Sequence, residues 1–217
     1  MGSLLEIYRE GGVWMHLITT VGIMSLTVFV ERFIALFMKY NIDKDKFIAN
    51  VQRSIIAGDL NSAVNHCNDR QTPLNQIVKA GLIAVMNQGD ESEIQTAMDV
   101  AALREIPKIE KRTPYLALFG NVATLVGLFA TIVGLITSFK AVANVDPSQK
   151  AVLLARGISE AMNGTAYGLV VAIPSLLLGA FLTSRTQAML DDVHEVSVST
   201  LNLILQNRDK FPSVARK

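Results

Sequence analysis

The chain has 217 residues, half of them hydrophobic and 18% charged, with 20 Lys and Arg against 19 Asp and Glu. A net charge of +1 gives no polyanion-binding footprint, and one cysteine allows no internal disulfide. A basic nucleic-acid binder, a disulfide-built secreted domain and a disordered chain are thereby excluded.

The placement of the charges says what remains. Residues 11–30, 113–139 and 161–184 contain no Asp, Glu, Lys or Arg, which makes charge-free runs of 20, 27 and 24 residues. A bilayer core needs roughly 20 apolar residues per helix, so the expected fold is all-α, an integral membrane protein with three transmembrane helices. The first run reads as a retained span, not a cleaved leader. Glu6 and Glu10 accompany a single Arg9 before it, and it ends on Glu31-Arg32 without a small-residue cleavage site.

In chain order the expected parts are a head (1–10), span 1 (11–30), a helical segment (31–112), span 2 (113–139), a loop (140–160), span 3 (161–184), and a C-terminal helix and tail (185–217). Three crossings put the head and the 140–160 loop on one side, and the large segment and tail on the other. Arg32, Lys108, Lys111, Arg112 and Arg185 border the bilayer on the second side, against Arg9, Lys140 and Arg156 on the first. The positive-inside rule then places the N-terminus outside and the large segment and tail in the cytoplasm. Glu31 and Arg32 mark the membrane boundary.

Within the large segment, Ile48, Val51, Ile55 and Ile56 fall on one helical stripe that Gly58-Asp59 interrupts, and Asp59 or Asn61 can cap the next short helix. Leu74, Ile77, Val78, Gly81, Leu82 and Val85 repeat the three-four spacing. After a turn at residues 87–90, a helix is expected over 91–112 that continues into span 2, bent by Pro107 and Pro114. In the tail, Met189, Val193, Val196 and Leu201 recur among polar residues. A helix from residue 159 to about 207 would project span 3 well beyond the bilayer.

Spans 2 and 3 are rich in small residues at regular spacing. Gly120, Gly127 and Gly134 recur every seven residues, as do Thr124, Thr131 and Ser138. Seven residues turn an α-helix through 700°, so these positions form one stripe. In span 3, Ala161, Gly164, Thr165, Gly168, Ala172, Ser175 and Gly179 share a side, and Gly164 and Gly168 form a GxxxG pair. Such stripes let helices approach closely where lipid supplies no hydrophobic drive. A sharper alternative has the same hydroxyl-bearing face line an interior that admits another helix and an ion. Neither span carries an ionisable residue within it; the nearest are Glu160, at the edge of span 3, and His16 in span 1. A proton path needs a titratable group at membrane depth, so any such path must borrow its carboxylate from another polypeptide.

The stretches VGLFATIVGLITSFKA (126–141) and ISEAMNGTAYGLVVAIPSLL (158–177) resemble spans 2 and 3 of the MotA/TolQ/ExbB proton-channel family, closest to the TolQ and ExbB branch. The Glu31-Arg32 pair, the three-span order and the length agree with that resemblance. It implies a homopentameric ring around a central pore, holding the transmembrane helices of two single-span ExbD/TolR-type or MotB-type subunits, each with a membrane Asp. It implies a bacterial inner membrane location, with the N-terminus periplasmic, the C-terminus cytoplasmic, and protons or sodium as the coupled ion. By position, Thr131 becomes the span 2 pore threonine and Thr165 the span 3 threonine facing the partner Asp. Thr124 lies along the same ion path, Glu160 opens span 3, and Pro174 loosens the span 3 backbone. Gly120, Gly127, Gly134, Gly164 and Gly168 are packing positions. Asn163 and Tyr167 are bulkier and more polar than the Ala-like residues expected beside the threonine.

The resulting expectation is the pore-forming subunit of a motor driven by the proton-motive force. The rival reading is a non-conducting membrane scaffold whose helical bundle recruits partners. A self-sufficient secondary transporter fits poorly with three spans, no inverted repeat and no internal charge. No nucleophile–base constellation, catalytic residue, cofactor motif or nucleic-acid partner is expected, and His66 beside Cys67 lacks the further ligands a metal site needs.

Overall fold

The computed structural model describes residues 12–40, 44–143 and 145–211, so the head (1–10) lies outside the described residues. Among the described residues the chain is helical, without strands: α1 (Gly12–Ile34), a π-helical turn (Ala35–Lys39), α2 (Lys44–Ile56), α3 (Leu60–Asn68), α4 (Pro73–Met86), α5 (Glu91–Glu110), α6 (Pro114–Ala141) and α7 (Pro147–Gln206). A short 3₁₀ turn, Arg208–Lys210, follows. Three helical stretches, beginning at Gly12, Glu91 and Pro147, are long and apolar enough to cross a membrane. The chain divides into two compact units, one of residues 1–32 and 112–183, the other of residues 33–111 and 184–217.

The span unit contains α1, α6 and the first part of α7. One buried cluster holds Ile18, Ala123 and Ala172, with Val21, Val126, Tyr167 and Val171 packed around it, and Met15, Leu116 and Leu182 are buried elsewhere in the unit. Many large apolar side chains nevertheless point outward, among them Leu125, Phe129, Ile132, Ile136, Val170 and Ile173. That inverted pattern suits a solvent as apolar as the protein interior. The turn leading into α6 is tied to α1 by an ion pair, Arg112 to Glu31 at 2.5 Å, whereas neighbouring Arg32 is buried.

The second unit is built as a water-soluble helical bundle. α4 buries Leu74, Ile77, Val78, Gly81, Leu82 and Val85, the stripe its spacing predicts. The starts of α3, α4 and α5 are capped. Asp59 accepts from the Ser62 amide at 2.9 Å, Thr72 from the Asn75 amide at 3.3 Å, and Asp90 with Glu93 forms a capping box. Gly58, at φ +75°, makes the turn before α3. Asn75, buried, donates to the carbonyls of Arg70 (2.8 Å) and Cys67 (3.4 Å), which closes the α3–α4 connection. Lys44 binds Asp192 (2.8 Å) and Glu195 (2.6 Å) of α7, and these hydrogen bonds, Asp192 first, raise its pKa.

Three local expectations change. The α2 stripe is centred on Phe47, Val51, Ser54 and Ile55, with Ile56 exposed, because the helix axis is rotated by about one position from the Ile48/Ile56 reading. The helix expected over 91–112 stops at Glu110. Lys111 leaves the helical region and Arg112 takes φ 64°, so a break, not a bend, precedes Pro114 at the first position of α6. The 140–160 segment is mostly helix. The Asp146 carbonyl accepts from the amides of Gln149 and Lys150, Pro147 supplies a preset φ, and α7 then runs for 60 residues, about 90 Å at 1.5 Å per residue.

Candidate functional site

Small residues place α6 and α7 backbone against backbone. A Cβ on Gly127 would lie 2.9 Å from the Gly164 carbonyl oxygen and 3.3 Å from the Gly168 Cα. One on Gly168 would lie 2.8 Å from the Ala123 oxygen. Gly120 meets Leu176 and Ala172, Gly134 meets Ala161, and Gly164 meets the Ala130 methyl. The heptad of glycines on span 2 and the GxxxG pair on span 3 are thus two sides of one contact.

At the centre of this contact the two threonine hydroxyls converge. Thr131 and Thr165, both half-buried, are hydrogen-bonded to each other. Thr131 also reaches its own Gly127 carbonyl and that of Ala161, each at 3.2 Å, and Thr165 reaches the Gly127 carbonyl at 3.1 Å. Of the two hydroxyl protons one serves the bond between the threonines and the other a carbonyl, so the pair keeps acceptor capacity and a proton that can be redirected. Only the absence of side chains at Gly127 and Gly164 brings these atoms together. Thr124, one heptad earlier, bonds its own Gly120 carbonyl at 3.1 Å and does not join the pair.

Toward the C-terminal end of α6 the two helices stay in contact, Gly157 against Ser138, and a cleft opens beside them. Gly134, Thr137 and Ser138 of α6, Gly157, Glu160 and Ala161 of α7, and Val13 and Trp14 of α1 line an open cleft of about 320 Å³. Trp14 meets Phe129 edge-on, with ring centroids 5.1 Å apart. Glu160 sits on the cleft and accepts from Arg156 at 2.8 Å, one turn earlier on α7. At the other end, Pro174 faces outward from an unbroken helix and leaves the Val170 carbonyl without its usual amide partner. Among the described residues no cluster of three His, Cys, Asp or Glu has the arrangement to hold a metal ion.

Sequence reasoning missed what span 1 contributes. Tyr167 of α7 and Thr19 of α1 are hydrogen-bonded at 3.0 Å, and Ser25 donates to Ser175 at 2.8 Å. Scattered Ser and Thr in an apolar run carry no periodic signal of which neighbour they meet. The polar departure at Tyr167 was the one available cue.

The fold agrees with a chain in the solved structure of C. jejuni MotAB, at a TM-score of 0.63 over 92% of this chain and 79% of that one, with 16% identity. A putative biopolymer transport protein ExbB homolog of Methanothermobacter thermautotrophicus is 27% identical over 200 residues, 92% of this chain and 70% of that protein. The Tol-Pal system protein TolQ of Pseudomonas aeruginosa is 37% identical over 97 residues, which is 45% of this chain and only 42% of the relative. From residue 69 to residue 195, through α4, α5 and both small-residue spans, the sequence matches the MotA/TolQ/ExbB proton channel family, and the chain belongs to that family.

Proposed function

We propose that this chain is the pore-forming subunit of an inner-membrane motor driven by the proton-motive force, in the manner of TolQ and ExbB. Five copies surround a pore that holds two single-span partner helices, and each partner brings a membrane Asp. The N-terminus is periplasmic and the large helical unit cytoplasmic. The observation that carries this reading is the meeting of Thr131 and Thr165 from two different spans, their hydroxyls bonded to each other and within reach of the Gly127 and Ala161 carbonyls.

Such a pair can turn a hydroxyl proton toward an ionised partner carboxylate, a charge-assisted bond, and holds a protonated carboxyl less strongly. An Asp that gains and loses its proton therefore changes its attachment to the ring, and the inner helices turn relative to it. A potential of roughly 150 mV makes about 3.5 kcal/mol available per charge moved, so a few protons can drive a step beyond thermal reach. Glu160, on the cleft toward the outer end, attracts the incoming cation. Proton and sodium coupling both fit hydroxyl and carbonyl oxygens, and proton use follows from the family.

Thr165→Val keeps the side-chain volume and removes the hydroxyl. Ion uptake into liposomes by the purified complex with its single-span partner is expected to fall roughly tenfold to a hundredfold, as for a lost hydrogen bond to a charged or reacting group, with ring assembly intact. Full uptake by the Val variant would overturn the role of the pair. A wild-type complex that passes no protons would favour the non-conducting scaffold.

A further inference from the structure

Tyr167 lies two residues from Thr165, about 200° around α7, and so faces α1 while Thr165 faces α6. The hydrogen bonds on that side have a defined polarity. Thr19 directs its proton to its own Met15 carbonyl at 2.8 Å, so its oxygen accepts from the Tyr167 hydroxyl. Ser175 directs its proton to the Val171 carbonyl at 2.8 Å, and its oxygen accepts from Ser25. The two relays run in opposite senses: one ends on a carbonyl of α1, the other on a carbonyl of α7. Between them Gly22 of α1 admits the Val171 side chain. One bond would leave α7 able to pivot about it, whereas two, eight residues apart on α7, set both its rotation and its height against α1.

We infer that Tyr167 is a positioning residue: with the Ser25–Ser175 bond it holds span 3 against span 1 at the rotation that presents Thr165 to Thr131. Span 1 on this account is part of the ion path's frame and not only a membrane anchor. The inference rests on the proposed role of Thr165 for its functional consequence, but not for its geometry.

Tyr167→Phe removes the donor to Thr19, whose own proton stays on the Met15 carbonyl. Two measurements test the inference on the full chain assembled with its single-span partner. In a Cys67→Ser, Thr165→Cys background, the rate of thiol labelling reads the orientation of position 165, and Tyr167→Phe is expected to change it severalfold. With Thr165 intact, proton uptake is expected to fall about threefold in Tyr167→Phe and in Thr19→Val, the scale of a hydrogen bond between membrane helices. The double variant is expected to lose no more than the larger single one, since each single variant already removes the Tyr167–Thr19 bond. Ring yield and thermal midpoint should stay at wild-type values.

An unchanged labelling rate would overturn the inference, as would losses that multiply in the double variant or that merely track a falling thermal midpoint. If the wild-type complex passes no protons, the proposed motor function fails while the labelling rate still decides the positioning role.

Discussion

Where α6 meets α7, Gly120, Ala123, Gly127 and Ala130 face Ala161, Gly164, Gly168 and Ala172; where α4 meets α5, Ile77, Val78 and Leu82 are buried beside Ile94 and Met98. The same chain thus uses two packing chemistries. In water, burying a large apolar side chain is itself favourable, by roughly 1.5–3 kcal/mol each, so the second unit collects Leu, Ile and Val inside. In lipid that gain vanishes, since Leu is as well solvated outside as in. Close backbone approach and hydroxyl bonds must hold the helices instead, and only small residues permit the approach. Polar groups differ too: the second unit caps its helix starts, whereas the spans join helices by hydroxyls bonded to each other and keep their ion pairs, Arg112–Glu31 and Arg156–Glu160, near the helix ends.

The comparison is easiest to break with one substitution made in both units. Gly81 and Gly168 are both tight: an added Cβ would lie 2.7 Å from the Met98 sulfur in the first case and 2.8 Å from the Ala123 carbonyl oxygen in the second. A methionine side chain can swing aside, but a helical carbonyl cannot without moving the helix. Gly168→Ala is therefore expected to separate α6 from α7 and cost several kcal/mol, with loss of the proposed ring in detergent. Gly81→Ala should cost about 1 kcal/mol or less, since the helix-propensity gain offsets part of the repacking. Equal thermal midpoints for the two variants would refute the distinction between yielding and rigid neighbours.

A second pair of substitutions runs the other way. Leu82 is fully buried, and Leu82→Ala is expected to destabilise the second unit by about 2–5 kcal/mol through lost burial and a cavity. Leu128 on α6 is half-exposed on an outward face, and Leu128→Ala should change stability by under about 0.5 kcal/mol in detergent. Thermal unfolding of the solubilised protein, followed by helical circular dichroism, measures both. A large loss at Leu128 would mean that this face packs against another copy.

The span architecture could be read from the sequence because hydrocarbon excludes charge, and a helix that faces water rarely runs 20 residues without one. The α4 stripe and the turn at Gly58-Asp59 were legible for a similar reason, since water sorts one face from the other. Between spans that sorting force is absent. Nothing in the pattern of Thr19, Ser25, Tyr167 and Ser175 told which hydroxyls would meet, and the convergence of Thr131 and Thr165 came from family resemblance before geometry supported it. The helix over 147–160 was hidden because a polar connection between spans looks the same whether coiled or helical. The break at residues 111–113 was hidden because a proline predicts a bend more often than a left-handed arginine.

Cys67 offers a probe of the second unit alone. It is fully buried on α3, and burial pushes its thiol pKa up from 9.0 to about 12. At pH 8 the thiolate fraction is then roughly a thousandfold below that of a free thiol, so alkylation must wait for local opening. The folded protein should react with iodoacetamide at least about a hundredfold more slowly than the urea-unfolded chain, and Leu82→Ala should restore reactivity before any change appears in the proposed ring. Because the folded value is the higher one, the thiol's contribution to stability is full below pH 9 and disappears as pH rises toward 12.

The smallest effect expected is at Lys44, whose two carboxylate partners look at first like a clasp on the second unit. The pairs are open to solvent, with Asp192 and Glu195 side chains 43% and 65% exposed, so screening leaves them weak. The folded pKa of Lys44 is raised by these bonds, so what they contribute is fully present below the ordinary lysine value of 10.5 and fades only as pH climbs through the higher folded value. Lys44→Met should accordingly lower the thermal midpoint slightly at pH 7 in low salt, and the difference should vanish in 1 M salt. A large drop that survives high salt would show that the lysine stem's packing, not its charge, joins α2 to α7.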